Sequence, residues 1–243
     1  MTDAKPAAPD SNSQKTDRHK PLRRYLMGLT LVTGIVDAVS YLLLGHVFVA
    51  NMTGNIVFLG FAITAPQNLS IPASLAATMA FLAGAFLGGR LGALLGRHRA
   101  RLLTVSICAE VVLVAAALVV SIYVSNPTPT VGRYLLIVLL ALAMGLQNAA
   151  ARRLGVPDLT TTVLTLTLTG LAADAWLSGG AHFHLRVRLA ATVMMFLGAG
   201  VGALLITRYG LVAALAASVA ILVLSGASTS RLWSSVDEWT VGA

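Results

Sequence analysis

A short stretch near the start of the chain places chemically active side chains inside an apolar segment. The segment "GIVDAVSYLLLGHVFVANMTGNIVFLG", residues 34–60, contains Asp37, Asn51, Thr53 and Asn55. A carboxylate can bind a proton or a cation, and amide and hydroxyl groups can line the path of a solute. Polar groups in the hydrocarbon of a membrane are costly unless they are paired, hydrated or neutralised. These residues therefore define either a functional site or a structural hydrogen-bond cluster.

Asp37 is the centre of this candidate site, and Ser40 follows it by three residues. One interpretation is a proton or cation site on a transport path, and the other is a structural hub that holds the following segment. We expect the carboxylate to face the "NMTGN" turn. There it would accept hydrogen bonds from Thr53, from Asn55 and from the N–H groups near Gly54. The residues alone do not separate the two interpretations.

The "NMTGN" motif predicts a helix that is too short to cross a membrane. Asn51 is a good N-cap residue, so the helix is expected to run from Met52 to about Thr64. About thirteen residues at about 1.5 Å each span roughly 20 Å, against roughly 30 Å for the hydrocarbon core. The segment is therefore re-entrant or broken. Its Thr53 and Asn55 either line a solute site or form interhelical hydrogen bonds.

The composition indicates a membrane protein built from helices. Of the 243 residues, 57% are hydrophobic and only 11% are charged, and the mean hydropathy is +0.82. Continuous apolar runs rich in Leu, Ala and Gly exclude an outer-membrane barrel, which needs short alternating segments. Eight such runs are predicted, at about 24–45, 47–65, 72–96, 102–124, 133–151, 159–178, 187–208 and 210–226.

The basic residues predict the orientation of the chain. They lie at the ends of the apolar runs, so the net charge of +8 indicates contacts with anionic lipids rather than with nucleic acid. The cluster "RHKPLRR", residues 18–24, places the N-terminus in the cytoplasm. The cluster "RHRAR", residues 97–101, reaches the same side only if the run at 47–65 does not cross.

The second half of the chain repeats the order of motifs in the first. "GIVDAVS" corresponds to "GLQNAAA", residues 145–151, which pairs Asp37 with Asn148. "MAFLAGAFLGG", residues 79–89, resembles "MMFLGAGVGAL", residues 194–204. The similarity is weak, but the motifs keep the same order in both halves.

Threonines of the second half fall opposite "NMTGN". "VLTLT", residues 163–167, pairs Thr53 with Thr165 and Asn55 with Thr167. A Thr hydroxyl can simply bond to the preceding helical turn, so this signal is the weaker of the two. The candidate path residues of the second half are Gln147, Asn148, Thr162, Thr165 and Thr167.

These patterns predict an all-α, polytopic helical membrane protein with two inverted repeats, about 24–124 and 133–226. Each repeat would contain three spanning helices and one re-entrant or broken segment. The alternative is eight crossings in parallel repeats. The membrane domain, 21–226, is expected to lie between a disordered cytoplasmic tail, 1–20, and a short cytoplasmic tail, 227–243.

A structural ion pair is expected between Arg90 and Glu110. The two residues stand equally far in sequence from residue 100, at the centre of the "RHRAR" turn. On antiparallel neighbouring helices they would lie at similar depth.

The sequence gives little support for an enzyme. Cys108 is the single cysteine, so an intrachain disulfide and a cysteine-based metal site are excluded. No phosphate-binding or nucleotide motif is present, and we expect no cofactor and no metal. Asp37 with Asp174 is the only carboxylate pair that could be proposed as catalytic. The sequence leaves homo-oligomerisation open.

The chain resembles the YoaK family of bacterial inner-membrane proteins. The resemblance rests on "VDAVSYLLLGHVFVANMTGNIVFLG", "AMGLQNAAARRLG" and "TTTVLTLT", and it covers roughly residues 22–224. In the second half the family often has Thr-Gly after paired threonines, whereas here Thr165 is followed by Leu166. The resemblance implies an inner-membrane location and six spans, and it implies little about function because the family is uncharacterised.

Three functions are compatible with these observations. The first is a transporter or channel for an unidentified small solute, with its site where the two re-entrant segments meet. The second is a membrane scaffold or sensor that transports nothing, and the third is an intramembrane enzyme. A hydrated path through the junction of the repeats would favour the first, and a dry, packed junction would favour the second.

The inverted-repeat topology predicts which loops a membrane-impermeant thiol reagent can reach. Single cysteines are introduced in a Cys108→Ala background, and the reagent is applied to the outside of intact cells. Cysteines in the loop "SNPTPTVG", residues 125–132, should be labelled, and Arg99→Cys should not. Labelling of Arg99→Cys from outside would rule out the inverted arrangement.

Overall fold

The computed structural model describes residues 20–61, 64, 70–96, 98–123, 130–155, 169 and 182–230. The predicted N-terminal tail up to residue 19, the predicted apolar run at 159–178 apart from residue 169, and the chain after residue 230 lie outside the described residues. Thr162, Thr165, Thr167 and Asp174 lie outside them as well.

Seven α-helices make up the described part of the chain, which contains no β-strand. They fall on seven of the eight predicted apolar runs. In chain order they are α1 (Lys20–Leu43), α2 (Met52–Phe61), α3 (Ile71–Leu95), α4 (Arg99–Tyr123), α5 (Thr130–Leu154), α6 (His182–Tyr209) and α7 (Leu211–Ser230).

Six of these helices are long and apolar enough to cross a membrane, and α2 is the exception. The six candidate spans have 20 to 25 residues each. Helix α2 begins at Met52, as the sequence predicts, but it has only 10 residues. At about 1.5 Å per residue it covers roughly 15 Å, about half of a hydrocarbon core. A short helix between two long ones is therefore confirmed for the first half.

Local signals at the helix ends agree with these boundaries. The hydroxyl of Ser70 accepts a hydrogen bond from the backbone N–H of Ala73 at 3.3 Å, and Pro72 occupies a first-turn position that needs no N–H donor. A single residue, Gly210, separates α6 from α7. Its φ of +83° belongs to the left-handed region, which glycine adopts at little cost, so the chain can turn there without a longer loop.

The packing places α1 and α5 at the centre. In the most apolar 18-residue stretch of α1 and of α5, 67% and 61% of the residues are buried. The corresponding share in the other four candidate spans is 17–33%. Helix α1 packs most closely on α6, and α5 packs most closely on α3. Helix α4 contacts both α5 and α7, and α7 also contacts α1. Helices α3 and α4 touch little, although they are consecutive in the chain.

Glycines allow the backbones of α3 and α5 to approach closely. A Cβ at Gly145 would overlap the carbonyl oxygen of Phe81, and one at Gly84 would overlap the carbonyl oxygen of Leu142. A Cβ at Gly88 would lie 2.6 Å from the carbonyl oxygen of Leu146. Small residues at such positions let two membrane helices gain van der Waals contact along their backbones.

The contact between α1 and α6 is built in the same way. A Cβ at Gly34 would lie 2.6 Å from the carbonyl oxygen of Met195, and one at Gly198 would overlap the carbonyl oxygen of Leu31. A Cβ at Gly202 would lie 2.9 Å from the Cα of Ile35. Gly34 thus occupies in α1 the position that Gly145 occupies in α5, as the alignment of "GIVDAVS" with "GLQNAAA" predicts.

The matching contacts correct one detail of the predicted alignment. By its contacts Gly84 corresponds to Gly198, and Gly88 corresponds to Gly202. The sequence similarity paired residues 79–89 with 194–204 and therefore set Gly84 against Ala199. The error is one residue. It arose because both segments are rich in Gly and Ala, so neighbouring registers look alike in sequence.

Alanine substitution tests whether these close approaches hold the helices together. Gly145→Ala and Gly198→Ala should each lower stability by about 1–3 kcal/mol, because the added methyl group overlaps a backbone carbonyl of the partner helix. The measurement is thermal unfolding of the purified protein in detergent.

Two other helical glycines supply the matched controls. Gly89 and Gly200 have nothing within 4 Å of an added Cβ. Gly89→Ala and Gly200→Ala should keep or slightly raise stability, since alanine is favoured over glycine in helices by up to about 1 kcal/mol. Equal effects at all four positions would show that the contacts between these backbones contribute nothing.

Candidate functional site

The carboxylate of Asp37 is a buried hydrogen-bond acceptor for the segment that precedes α2. Its Oδ1 accepts from the backbone N–H groups of Val49, at 3.2 Å, and Ala50, at 3.0 Å. Its Oδ2 accepts from the side-chain amide of Asn51 at 2.6 Å. Asp37 is only 4% exposed, so all three donors meet the charge away from bulk solvent.

The chain reaches Asp37 by folding back along α1. After Leu43 the backbone turns through Gly45, with φ +100°, and His46, with φ +56°. Val47, Val49 and Ala50 are then buried against the helix. Because these residues are not in a helix or a sheet ladder, their N–H groups need a partner from elsewhere, and Asp37 supplies it for two of them.

Asn55 fixes the same segment from the other side. Its Oδ1 accepts from the backbone N–H of Phe48 at 2.9 Å, and its Nδ2 donates to the carbonyl oxygen of Phe48 at 2.6 Å. Asn55 is fully buried. Gly54 lies under the Phe48 ring, where a Cβ would be 2.7 Å from the ring carbon Cδ2. The segment 48–51 is therefore held to α1 by one polar residue and to α2 by another.

The expected partners of Asp37 are wrong in detail, although the carboxylate does face the start of α2. Thr53 is exposed, Asn55 bonds to Phe48, and the N–H of Gly54 donates to the carbonyl of Asn51 at 3.1 Å. The N–H of Gly54 thus finds a backbone acceptor in the first turn of α2, whereas the N–H groups of Val49 and Ala50 are bonded to the carboxylate of Asp37. The residues immediately before α2 therefore needed the carboxylate more.

Two further site residues have local roles. The Ser40 hydroxyl is buried and donates to the carbonyl oxygen of Asp37, in its own helix, at 3.1 Å. Asn51 precedes α2 as expected, and its side-chain amide donates a hydrogen bond to Asp37.

A cavity of about 290 Å³ lies beside Asp37. It is formed between α1, the segment 48–51 and α6. Among its lining residues are Asp37, Tyr41, Phe48 and Asn51 from the first half of the chain, and Ala199 and Ala203 from the second. The cavity is mostly apolar, with one carboxylate and one amide in its wall.

Aromatic rings form one side of this region. Tyr41 stacks on Phe48 with 5.1 Å between ring centroids, and Phe48 stacks on Phe58 at 5.9 Å. His46 meets Tyr41 edge-on at 5.2 Å. The ring faces carry partial negative charge, so they add to the attraction that Asp37 would exert on a cation.

The predicted residues of the second half do not all join this site. The amide nitrogen of Asn148 donates to the carbonyl oxygen of Met144, in its own helix, at 2.9 Å. Gln147 instead connects α5 to two other helices. One end of its amide lies 2.5 Å from Oε1 and 3.3 Å from Oε2 of Glu110, and the other end lies 2.9 Å from Oγ1 of Thr33.

The predicted ion pair between Arg90 and Glu110 is wrong. Arg90 is exposed, with its guanidinium carbon 5.5 Å from the centroid of the Phe86 ring. Glu110 is 1% exposed and meets Gln147. Equal distance from a turn places two residues at similar depth but does not make them face each other. Here α3 and α4 diverge after their turn, because each packs on α5.

Among the described residues, no group of three His, Cys, Asp or Glu side chains could hold a metal ion. Cys108 is free and exposed on α4. The chemistry available in this part of the chain is therefore that of two buried carboxylates and their amide and hydroxyl partners.

The amino-acid sequence matches a known protein family over most of its length. A family profile described as "Protein of unknown function (DUF1275)" matches residues 25–228, which include both buried carboxylates. The chain belongs to this family. The resemblance expected from the motifs is confirmed, and the description of the family names no activity.

A curated transmembrane protein is also similar to this chain. The chain is 38% identical over 146 residues to the UPF0700 transmembrane protein YoaK of Bacillus subtilis (strain 168). The matched region covers 60% of this chain and 64% of that relative, so it spans less than two thirds of the relative's length. No solved structure matches the chain. The six apolar helices and the similarity to a transmembrane protein agree with a multi-pass transmembrane protein.

Sequence reasoning missed Phe48 and Thr33. Phe48 lies within an apolar stretch, where nothing marks its backbone as the partner of Asn55. The contact between Glu110 and Gln147, by contrast, could have been predicted from the sequence. Glu110 lies alone in a long apolar run and needs a polar neighbour, and Gln147 is one of few candidates in the other spans.

Removal of the Asp37 acceptors should loosen the segment that precedes α2. Asp37→Leu keeps a similar volume but leaves three donors without their acceptor, at about 1–3 kcal/mol each. We expect faster hydrogen–deuterium exchange over residues 48–51 and a lower unfolding temperature.

Asp37→Asn and Ser40→Ala are the matched comparisons. Asn retains one acceptor oxygen for the two N–H groups, and Ser40→Ala removes only a bond within α1. Both should keep exchange over residues 48–51 close to that of the unchanged protein. Unchanged exchange in Asp37→Leu would show that the carboxylate does not hold this segment.

Proposed function

We propose that the protein is a transporter or channel for a small solute, with its site in the cavity beside Asp37. The observation that carries the proposal is the composition of the cavity wall. Residues of α1 and of the segment 48–51 meet residues of α6 there, so both halves of the chain contribute. A site at the junction of two halves can open to one side or the other when the halves move against each other.

We infer that the two halves are inverted repeats with six crossings in total. Three observations support this. Helix α2 is too short to cross, the contacts of Gly34 with α6 match those of Gly145 with α3, and α1 and α5 hold equivalent central places. With three crossings in each half, the second half enters the membrane from the opposite side.

The charge pattern then sets the orientation. The N-terminus and the basic cluster at residues 97–101 would face the cytoplasm of a bacterial cell, with the protein in the inner membrane. Basic residues at these ends would contact anionic lipid head groups.

The geometry favours a cationic solute over an anionic one. The N–H groups of Val49 and Ala50, which could otherwise bind an anion near the start of α2, are already occupied by Asp37. Oδ2 of Asp37 accepts a single hydrogen bond, from Asn51, and a carboxylate oxygen can accept two. Together with the faces of Tyr41 and Phe48, it forms a suitable surface for a small organic ammonium ion.

A membrane scaffold or sensor is the second candidate. It is favoured by the number of donors around Asp37, since a carboxylate with three partners is also well suited to a purely structural role. In that case the cavity would have no solute, and Asp37 would only stabilise the segment before α2.

A cavity-filling substitution distinguishes the two candidates. The protein is reconstituted into proteoliposomes with a proton-sensitive dye, and uptake of small organic cations is screened against matched anions. Ala203→Leu should reduce uptake by about tenfold or more, because overpacking a site by about 1–3 kcal/mol weakens binding by that order.

Ala220→Leu is the control, because Ala220 is an exposed alanine on α7 outside the cavity wall. It should leave uptake unchanged. Equal uptake by the two variants would remove the cavity from the mechanism. Absence of uptake for every solute tested would favour the scaffold or sensor.

A further inference from the structure

A second buried carboxylate, separate from the Asp37 cavity, lies where three helices meet. Glu110 projects from the buried face of α4 and is 1% exposed. Its neighbour is Gln147 of α5, which in turn meets Thr33 of α1. Helices α4 and α1 belong to the first half of the chain and α5 to the second, so this cluster also crosses the junction.

No charged side chain compensates Glu110 from the helices packed on α4. Helix α7 contains no titratable residue. The arginines of α5, Arg133, Arg152 and Arg153, lie within its first or last turns, and Arg90 of α3 faces outward. On α1, which supplies Thr33, the carboxylate of Asp37 is engaged with residues 49–51. In the part of the chain that the structure describes, Glu110 therefore has one hydrogen-bonding side chain from another helix, the amide of Gln147, which in turn contacts the Thr33 hydroxyl.

Hydrogen-bond counting allows two complete arrangements of this cluster. The Thr33 hydroxyl lies 2.9 Å from the carbonyl oxygen of Leu29, and it has a single proton to donate. If it donates to Leu29, it must accept from the NH2 group of Gln147. The oxygen of Gln147 then faces Glu110, which must carry a proton to complete the contact.

The other arrangement has an ionised carboxylate. The amide of Gln147 is turned, so that its nitrogen donates to Glu110 and its oxygen accepts from the Thr33 hydroxyl. Every member is again satisfied, and the carbonyl of Leu29 loses only its second donor. The two arrangements differ by one proton on Glu110 and by the direction of one amide.

The burial of Glu110 favours the protonated arrangement. The separation of 2.5 Å between Glu110 Oε1 and the Gln147 amide shows that the two groups are in contact, and either arrangement supplies a hydrogen bond there. An uncompensated charge at this depth would also be costly. On the same face of α4, one turn earlier, Ser106 is buried and its hydroxyl has no hydrogen-bond partner. It offers an unused donor and acceptor one turn away from Glu110.

We propose that Glu110 is a proton-binding site at the junction of the two halves, and that Gln147 turns its amide when the proton leaves. When Glu110 is protonated, the Gln147 amide donates to the Thr33 hydroxyl and accepts from the carboxylic acid. When Glu110 is ionised, the amide accepts from Thr33 and donates to the carboxylate. This inference does not depend on the proposed transport, because a proton site of this kind would equally serve a sensor.

The chain offers an unusually direct test, because it contains only two glutamates, Glu110 and Glu238. In a Glu238→Gln protein made by cell-free synthesis with glutamate labelled at the side-chain carboxyl with ¹³C, Glu110 is the only labelled acid. Its solid-state NMR signal in lipid bilayers is followed from acid to alkaline pH, together with the ¹⁵N signals of the glutamine amides. The Gln147 signal is assigned by its loss in Gln147→Leu.

We expect the labelled carboxyl to pass from the acid to the carboxylate signal while the protein stays folded, and the Gln147 amide signal to change over the same pH interval. Thr33→Val should move that interval, because it removes the hydroxyl that both arrangements use. Thr30→Val is the matched control, since Thr30 bonds only to the carbonyl of Leu26 one turn earlier, and it should not move the interval.

Two results would overturn the proposal. The first is a carboxyl signal that stays in one form over the whole pH range in which the protein is folded. The second is a titration of Glu110 that leaves the Gln147 amide signal unchanged. Neither measurement involves solute uptake, so a failure here is distinct from a failure of the proposed transport function.

Discussion

The pairing of backbone N–H groups in a water-poor interior is the constraint on which the rest of this structure depends. Between α1 and α2 the chain leaves helical geometry while still buried, so the N–H groups of Val49 and Ala50 have no acceptor in their own segment. The carboxylate of Asp37 takes both of them. Helix α2 can then begin immediately after this buried segment. The same segment forms part of the cavity, because Phe48 and Asn51 line it together with residues of α1 and α6.

Much of this architecture could be predicted from the residue order. Long apolar runs gave the candidate spans, and Asn51 correctly marked the start of α2 at Met52. The importance of Asp37 followed from the cost of a carboxylate in an apolar run. Its donors could not be predicted, because backbone groups look the same at every position of a sequence. Only the fold shows that the N–H groups of Val49 and Ala50, rather than that of Gly54, take the carboxylate of Asp37 as their acceptor.

Helix rotation and register were the other features that the residue order could not determine. Equal spacing from residue 100 predicts a pair, but Arg90 lies on an exposed face of α3 and Glu110 lies on a buried face of α4. In the same way, runs of Gly and Ala concealed a shift of one residue between α3 and α6, which the contacts of Gly84 and Gly198 reveal. Small side chains allow close backbone packing, and for the same reason they carry little information about which turn packs where.

Among the described residues, both buried carboxylates belong to the first half of the chain, and this asymmetry bears on how the halves could act. Asn148 stands where Asp37 would be repeated, and α7 contains no acid that could repeat Glu110. The second half contributes neutral partners instead, with the amide of Gln147 at Glu110 and the alanines of α6 at the cavity. Two halves with the same backbone contacts thus differ in charge where they meet. A proton or a cation at either site would change the electrostatics of the first half alone. Binding could then favour one relative position of the halves over the other, which two halves of identical charge would not allow.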